Sequence, residues 1–335
     1  MNANAAEQER FDVLDGWRGI SILLVLAAHL FPIGPKAWQL NEAVGIVGMA
    51  LFFTLSGFLI TSFLLRHESV VDFLIRRVFR IVPLAWLYLV VALLFVGATA
   101  DIYPPSFFFY ANLPPFWLTD TTRHLWSVCV EMQFYAGVGL LFWALGARGL
   151  VLLLPLALAV TGWRVVSGAE VSIVTWLRVD EILAGCVLAL VYFGSWGERP
   201  KAALRRLNPY LMLALLVVAS HEWSGPFNYL RPYFAAALVG ATLLRGESLL
   251  SRGLSIEPLK YIAAISFALY VIHPLLGATW LGSGSGWEKY AKRPLLVGVL
   301  FALAHLSSFH YERPAIALGK RLSARWRPRK TEVQP

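Results

Sequence analysis

Apolar residues in this chain come in repeated blocks, each close to the roughly 20 residues an α-helix needs to cross a bilayer. Ten such blocks can be drawn, at 17–35, 43–65, 81–100, 125–146, 149–167, 179–196, 208–222, 230–245, 260–281 and 293–312. The fold class they predict is all-α, a polytopic membrane protein with about ten transmembrane helices. Composition agrees. Hydrophobic residues make up 58% of the 335 and charged residues 15%, against about 45–50% and about 25% in soluble domains.

The first block follows Glu7, Glu9, Asp12 and Asp15 rather than a basic segment, and no small-residue cleavage site comes after it. It reads as a retained span and not as a signal peptide. Cys129 and Cys186 both fall inside apolar blocks, so they form neither a disulfide framework nor a metal site.

The net charge of +9 is distributed by topology. With the N-terminus in the cytoplasm, 21 of the 29 Lys and Arg residues fall on the inner side. That asymmetry predicts both termini in the cytoplasm and contacts between basic residues and lipid headgroups. It accounts for the basic excess without nucleic acid. The segment "YPPSFFFYANLPPFWLTD" (103–120) is apolar but carries two proline pairs, each proline costing about 3 kcal/mol inside a helix. It is expected at the outer interface, with a re-entrant path as the alternative. "GSGSG" (282–286) lacks the Lys and Ser/Thr of a phosphate-binding loop and reads as a flexible turn.

Ionisable residues within spans cost about 2.5–3.5 kcal/mol on insertion scales and mark candidate sites. Arg18 and His29 lie eleven residues apart on the first span. Eleven residues are close to three turns, so both project from one face, about 16 Å apart along the axis. Singly, Arg18 reads as a snorkelling anchor and His29 as a packed histidine. Together they outline a channel with a cation at its mouth and a neutral imidazole, the usual general base near pH 7, at its end.

Glu131 sits about a turn and a half into the fourth span, at a depth where it could meet His29 and orient the imidazole. Ser127 shares its face at i−4. Arg76, Arg77 and Arg80 stand before the third span, either as orientation anchors or, with Arg18, as a phosphate-binding patch. Weaker sets are Ser266, Tyr270 and His273 on one stripe, Arg178 with Asp180 and Glu181, and Glu312 with Arg313.

These residues resemble the acyltransferase-3 family of integral-membrane O-acyltransferases. "LDGWRGISILLVLAAH" looks like its first-helix motif, with Arg18 and His29, and "GMALFFTLSGFLIT" like its second helix, with Ser56 and Gly57. "FLIRRVFRIVPLAW" resembles its RRxxR motif and "HLWSVCVEMQFY" its WSxxxE motif, and "RVDEILAG" and "ISFALYVIHPLL" resemble further family segments. The likeness runs from about residue 11 to 314. Met132 replaces a second acid, Trp17 stands where Leu is common, and no SGNH-type esterase domain is expected after the last span.

The resemblance implies a membrane acyltransferase domain over 1–314 and a basic cytoplasmic tail over 315–335, in the bacterial cytoplasmic (inner) membrane. It implies transfer of an acyl group, usually acetyl, from acyl-CoA to a hydroxyl of a carbohydrate or other polyol. No metal and no protein partner is called for. Arg18, Arg76, Arg77 and Arg80 would hold the phosphorylated ADP part, and the pantetheine arm would bring the thioester to His29. His29 is then expected as general base and Glu131 as its partner, with a covalent acyl-His as the alternative. Ser127, Ser56, Arg178, Asp180, Tyr270 and His273 would support the substrates. The rival expectation is a proton-coupled transporter or flippase with His29, Glu131 and His273 as a relay. A purely structural protein would leave the buried charges unexplained.

Overall fold

A computed structural model describes residues 3–67, 69–246 and 248–326, with side chains from residue 12 onward. Among the described residues there is no strand. Three long helices begin the chain: α1 (Ala3–Leu30), α2 (Leu40–His67) and α3 (Val70–Phe95). Then follow α4 (Tyr103–Phe107), α5 (Trp126–Gly149), α6 (Leu153–Val166), α7 (Asp180–Tyr192), α8 (Glu198–Arg206), α9 (Pro209–Ala219) and α10 (Arg231–Leu244). The last third holds α11 (Leu249–Leu254), α12 (Glu257–Ala278), α13 (Gly286–Ala291), α14 (Arg293–Leu306) and α15 (Arg313–Ser323), with one π-helical turn at Ser307–Glu312 between the last two.

Six stretches are long and apolar enough to span a membrane: Asp12–Leu30, Leu40–His67, Val70–Phe95, Arg123–Val166, Glu257–Ala278 and Gly286–Trp326. The pair α8 and α9, bent by 82°, would make a seventh if counted as one broken span. The ten expected spans are thus not reproduced one for one. Those at 179–196, 208–222 and 230–245 fold as α7, α9 and α10, with 13, 11 and 14 residues. At 1.5 Å per residue these reach only about 17–21 Å, short of the roughly 30 Å of a hydrocarbon core. Those at 125–146 and 149–167 fall in one apolar stretch, broken at Gly146, whose φ of 61° lies in the left-handed region that glycine tolerates.

Segment 103–120 forms turns and the short α4, not a long helix. It is tied to its neighbours by Asn112, whose amide donates to the Ile173 carbonyl at 2.9 Å, and by Gln133, which donates to the Phe109 carbonyl at 2.8 Å. The start of the expected tail, 315–323, continues as part of α15 against α3, with Gly319 beside Phe79. Residues 327–335 lie outside the described residues.

Helix α1 packs along α2 and α12, and α2 packs also along α7. The α2–α7 crossing brings backbones together: a Cβ on Gly57 would sit 1.9 Å from the Ile182 carbonyl oxygen, and one on Gly185 would sit 2.0 Å from that of Thr54. Only small residues allow helices in lipid to approach so closely. The turn after α1 is closed by Asn41, whose amide donates to the carbonyls of Ala28 at 2.7 Å and Phe31 at 2.6 Å, so helix-end acceptors are satisfied without water. Outward-facing Leu94, Trp143, Leu158 and Val166 leave an apolar belt for lipid.

Candidate functional site

The aligned face of α1 borders three cavities in series. At the Arg18 end lies a basic cavity of about 820 Å³, lined by Arg18, Arg66, Arg77, Arg80 and Lys201. Arg18, Arg77 and Arg80 also line the next, a neck of about 70 Å³ that contains Ser56, Glu131, Tyr135 and Ser266. Val25, Met49 and Tyr270 border both the neck and the third cavity, of about 690 Å³, which holds His29, His124, Arg178 and His273.

Of the four arginines expected together, the structure brings Arg18, Arg77 and Arg80 to one cavity. Arg18 pairs with Asp15 at 2.9 Å and keeps its side chain 19% exposed. Arg77 lies over the rings of Phe73 and Tyr135, at 5.7 and 5.5 Å. Arg76 is turned elsewhere. It pairs with the fully buried carboxylate of Asp72 at 2.5 Å, lies 5.5 Å from the Phe63 ring, and lines none of these cavities. Arg76 and Arg80 are four residues apart on one helix, but Asp72, one turn before Arg76, claims its guanidinium. Arg66 and Lys201 take part instead. Lys201 comes from α8, which no local pattern connects to α1.

Glu131 lies in the neck, not beside His29. Its Oε1 accepts hydrogen bonds from the Ser56 and Tyr135 hydroxyls. Tyr135 is the i+4 residue on the same helix face, so the quoted motif contained this partner. Ser127 does not reach Glu131 either. The Tyr270 hydroxyl donates to the His124 carbonyl, which leaves its oxygen to accept from Ser127 Oγ at 2.6 Å. Tyr270 thus borders both the neck and the third cavity, with Ser127 bonded to its hydroxyl.

The partner of His29 is His273. The Nδ1 of His29 is 2.7 Å from Nε2 of His273, with the rings stacked at 5.0 Å between centroids. The Nδ1 of His273 is in turn 2.7 Å from the Tyr270 carbonyl. A carbonyl only accepts, so His273 Nδ1 carries its proton. In neutral His273 the Nε2 is then an acceptor, and His29 Nδ1–H donates to it. His29 is left with a bare Nε2 on an exposed ring that lines the cavity. Two histidines 244 residues apart in sequence fix this tautomer. His124 packs edge-on against His273, 5.5 Å between centroids, and its Nε2 donates to the Val271 carbonyl at 3.2 Å.

Arg178 lines the third cavity, with its guanidinium 5.3 Å from the Trp126 ring. Asp180 does not. It is fully buried against Arg164 at 2.5 Å, and Glu181 is likewise buried against Arg231 at 2.7 Å. Both carboxylates tie α7 to its neighbours α6 and α10. Among the described residues no group of His, Cys, Asp or Glu is arranged to hold a metal ion.

The helical bundle thus holds a cationic cavity at one end of a narrow passage and a histidine pair in the cavity at the other, and the class it falls in is that of the membrane acyltransferases. The chain belongs to the acyltransferase-3 family, whose acyltransferase domain is matched by residues 11–309. It is 27% identical to the peptidoglycan O-acetyltransferase OatA of Listeria monocytogenes, over 90% of this chain and 55% of the relative. It is 28% identical to the putative peptidoglycan O-acetyltransferase YrhL of Bacillus subtilis, over 93% and 56%, and 26% identical to the O-acetyltransferase OatA of Staphylococcus aureus, over 78% and 49%. The chain therefore spans about half the length of these curated relatives. No solved structure matches it.

Proposed function

We propose that this protein is an O-acetyltransferase of the bacterial cytoplasmic membrane that moves an acetyl group from acetyl-CoA to a hydroxyl of a peptidoglycan-type glycan. Both termini face the cytoplasm, which puts the Arg18 mouth inside and the His29 cavity outside. The observation that carries the reading is the hydrogen-bond chain from His29 through His273 to the Tyr270 carbonyl, which leaves His29 Nε2 free toward the third cavity.

Arg18, Arg77 and Arg80, with Arg66 and Lys201 around them, fit the phosphates of a CoA nucleotide. Arg76 drops out of that set. Bound there, the donor supplies an activated thioester carbonyl and a thiol leaving group. His29 Nε2 takes the proton of the acceptor hydroxyl as its oxygen forms the new ester bond. The C–S bond breaks, and the proton passes from His29 to the departing sulfur, giving the acetyl ester and free CoA. His273 holds the ring in place and accepts from Nδ1 throughout. Glu131 acts at the neck instead, its charge set among Arg18, Arg77 and Arg80.

Transport is the weaker reading. The family is one of acyltransferases, and the expected relay is interrupted, since Glu131 bonds Ser56 and Tyr135 and not either histidine. The test is release of CoA from acetyl-CoA by protein in nanodiscs, with muropeptide glycan as acceptor. Wild type should show acceptor-stimulated release, and His29→Ala should lose about 10²–10⁴-fold of it. Release at near wild-type rate in His29→Ala refutes the mechanism.

A further inference from the structure

The third cavity contains more positive charge than the mechanism uses. Arg178 is 2% exposed, yet its Nε and Nη1 have no hydrogen-bond partner. Arg293, the first residue of α14, is 5% exposed and lines the same cavity, and its Nε and Nη1 are also unpartnered. Buried guanidinium donors are costly to leave unmade, and the planar fork of arginine suits a carboxylate or phosphate.

The charge count behind Arg178 points the same way. Arg164, Arg178 and Arg231 are buried together with two carboxylates, Asp180 and Glu181. Arg164 takes Asp180 at 2.5 Å. Arg231 takes Glu181 at 2.7 Å and the Asn228 side-chain oxygen at 2.6 Å. Arg178 only approaches Glu181, at 3.3 Å. Guanidinium groups stay charged in proteins, so the group carries at least one uncompensated positive charge beside the cavity. Elsewhere on the wall, Asp120 is paired with Arg123 at 2.9 Å, and Glu42 and Lys289 both line the cavity.

Resting on the proposed transfer reaction, we infer that the third cavity contains an anion subsite, Arg178 and Arg293, and that the acceptor is a glycan carrying a carboxylate or phosphate near its reactive hydroxyl. The anion anchors the acceptor with its hydroxyl toward His29, and a neutral glycan of the same shape binds more weakly.

The test is direct binding to the full chain in nanodiscs, without acetyl-CoA, so that it does not depend on turnover. The probes are an N-acetylglucosaminyl–N-acetylmuramic acid disaccharide, its methyl ester, chitobiose and chitobiose 1-phosphate. Wild type should bind the acid or the phosphate at least about tenfold more tightly than its neutral counterpart. Preference for the acid assigns a carboxylate source, and preference for the phosphate assigns a phosphate source. Arg178→Gln and Arg293→Gln should each reduce that ratio, and Arg178→Lys, which keeps the charge beside Glu181, should retain part of it. Acetyl-CoA binding, measured on the same samples, should not change and reports intact folding. Equal affinity of charged and neutral probes in wild type overturns the inference. So does a ratio that survives both Gln variants. Either result leaves the transfer reaction standing.

Discussion

Replacing His273 tests the arrangement of the base. In the wild type His29 Nδ1–H donates to His273 Nε2 at 2.7 Å, and His273 Nδ1–H donates to the Tyr270 carbonyl at 2.7 Å. His273→Leu fills much of the volume but supplies no acceptor. His29 then loses one hydrogen bond, worth about 0.5–1.5 kcal/mol, and with it the preference that keeps Nε2 bare. Its ring stacking, at 5.0 Å, goes as well, adding about 0.5–1.5 kcal/mol. A loss of about 1–3 kcal/mol in the transition state lowers kcat by roughly 5- to 150-fold. Most of that range lies below the loss expected for His29→Ala. His273→Gln places an amide oxygen near the position of Nε2 and should recover part of the rate. The assay is acceptor-dependent CoA release in nanodiscs, with kcat and KM measured separately for each substrate. The loss belongs in kcat, since neither substrate is held by His273. Wild-type kcat in His273→Leu, or a Gln variant no better than Leu, refutes the reasoning.

Three further outcomes follow from the cavities. Glu131→Gln keeps an acceptor for Ser56 and Tyr135 but removes the negative charge among Arg18, Arg77 and Arg80; acetyl-CoA KM should change by about tenfold or more while the pH profile of transfer stays that of the wild type, and a shifted profile would return Glu131 to the base. Arg80→Gln should weaken acetyl-CoA binding, measured by calorimetry and lessened by salt, whereas Arg76→Gln should leave donor affinity near wild type and lower the melting temperature, since it leaves the buried Asp72 charge without its 2.5 Å partner. Met49→Trp, at the join of neck and third cavity, should abolish transfer with donor affinity retained; survival of transfer would show that the acyl group does not pass Met49.

What the sequence makes legible here is local. The face shared by Arg18 and His29 follows from eleven residues on one helix, and the structure lines the cavities with both. The contact between Ser127 and Tyr270 joins two residues singled out separately on two different helices. What sequence leaves open is relative depth between helices. Counting residues from a presumed surface put Glu131 level with His29. An error of one turn, 5.4 Å, suffices to move it down into the neck, where Ser56 from α2 meets it instead. His273 was visible as part of a polar stripe, but nothing local says which residue of α1 it faces. Short helices are ambiguous in the same way. The apolar residues of α7 and α10 are largely buried against protein, and burial in protein and burial in lipid favour the same residues, so apolar content alone does not tell a span from a buried helix.

The dimensions of the neck bear on the choice between transferase and transporter. A cavity needs about 10–15 Å³ of probe space for each water, so about 70 Å³ admits a few waters in file or an unbranched chain. It does not admit a sugar ring with its hydroxyls. The cavities on either side, about 820 and 690 Å³, fall within the roughly 300–1,000 Å³ typical of ligand sites. A transporter for glycans would have to widen the neck past Ser56, Glu131 and Tyr135, breaking two hydrogen bonds to the same carboxylate oxygen. A transferase needs no such opening. In the proposed transfer the nucleotide would stay on the arginines and the acceptor beside His29, and only a slender thioester arm would occupy the passage between them.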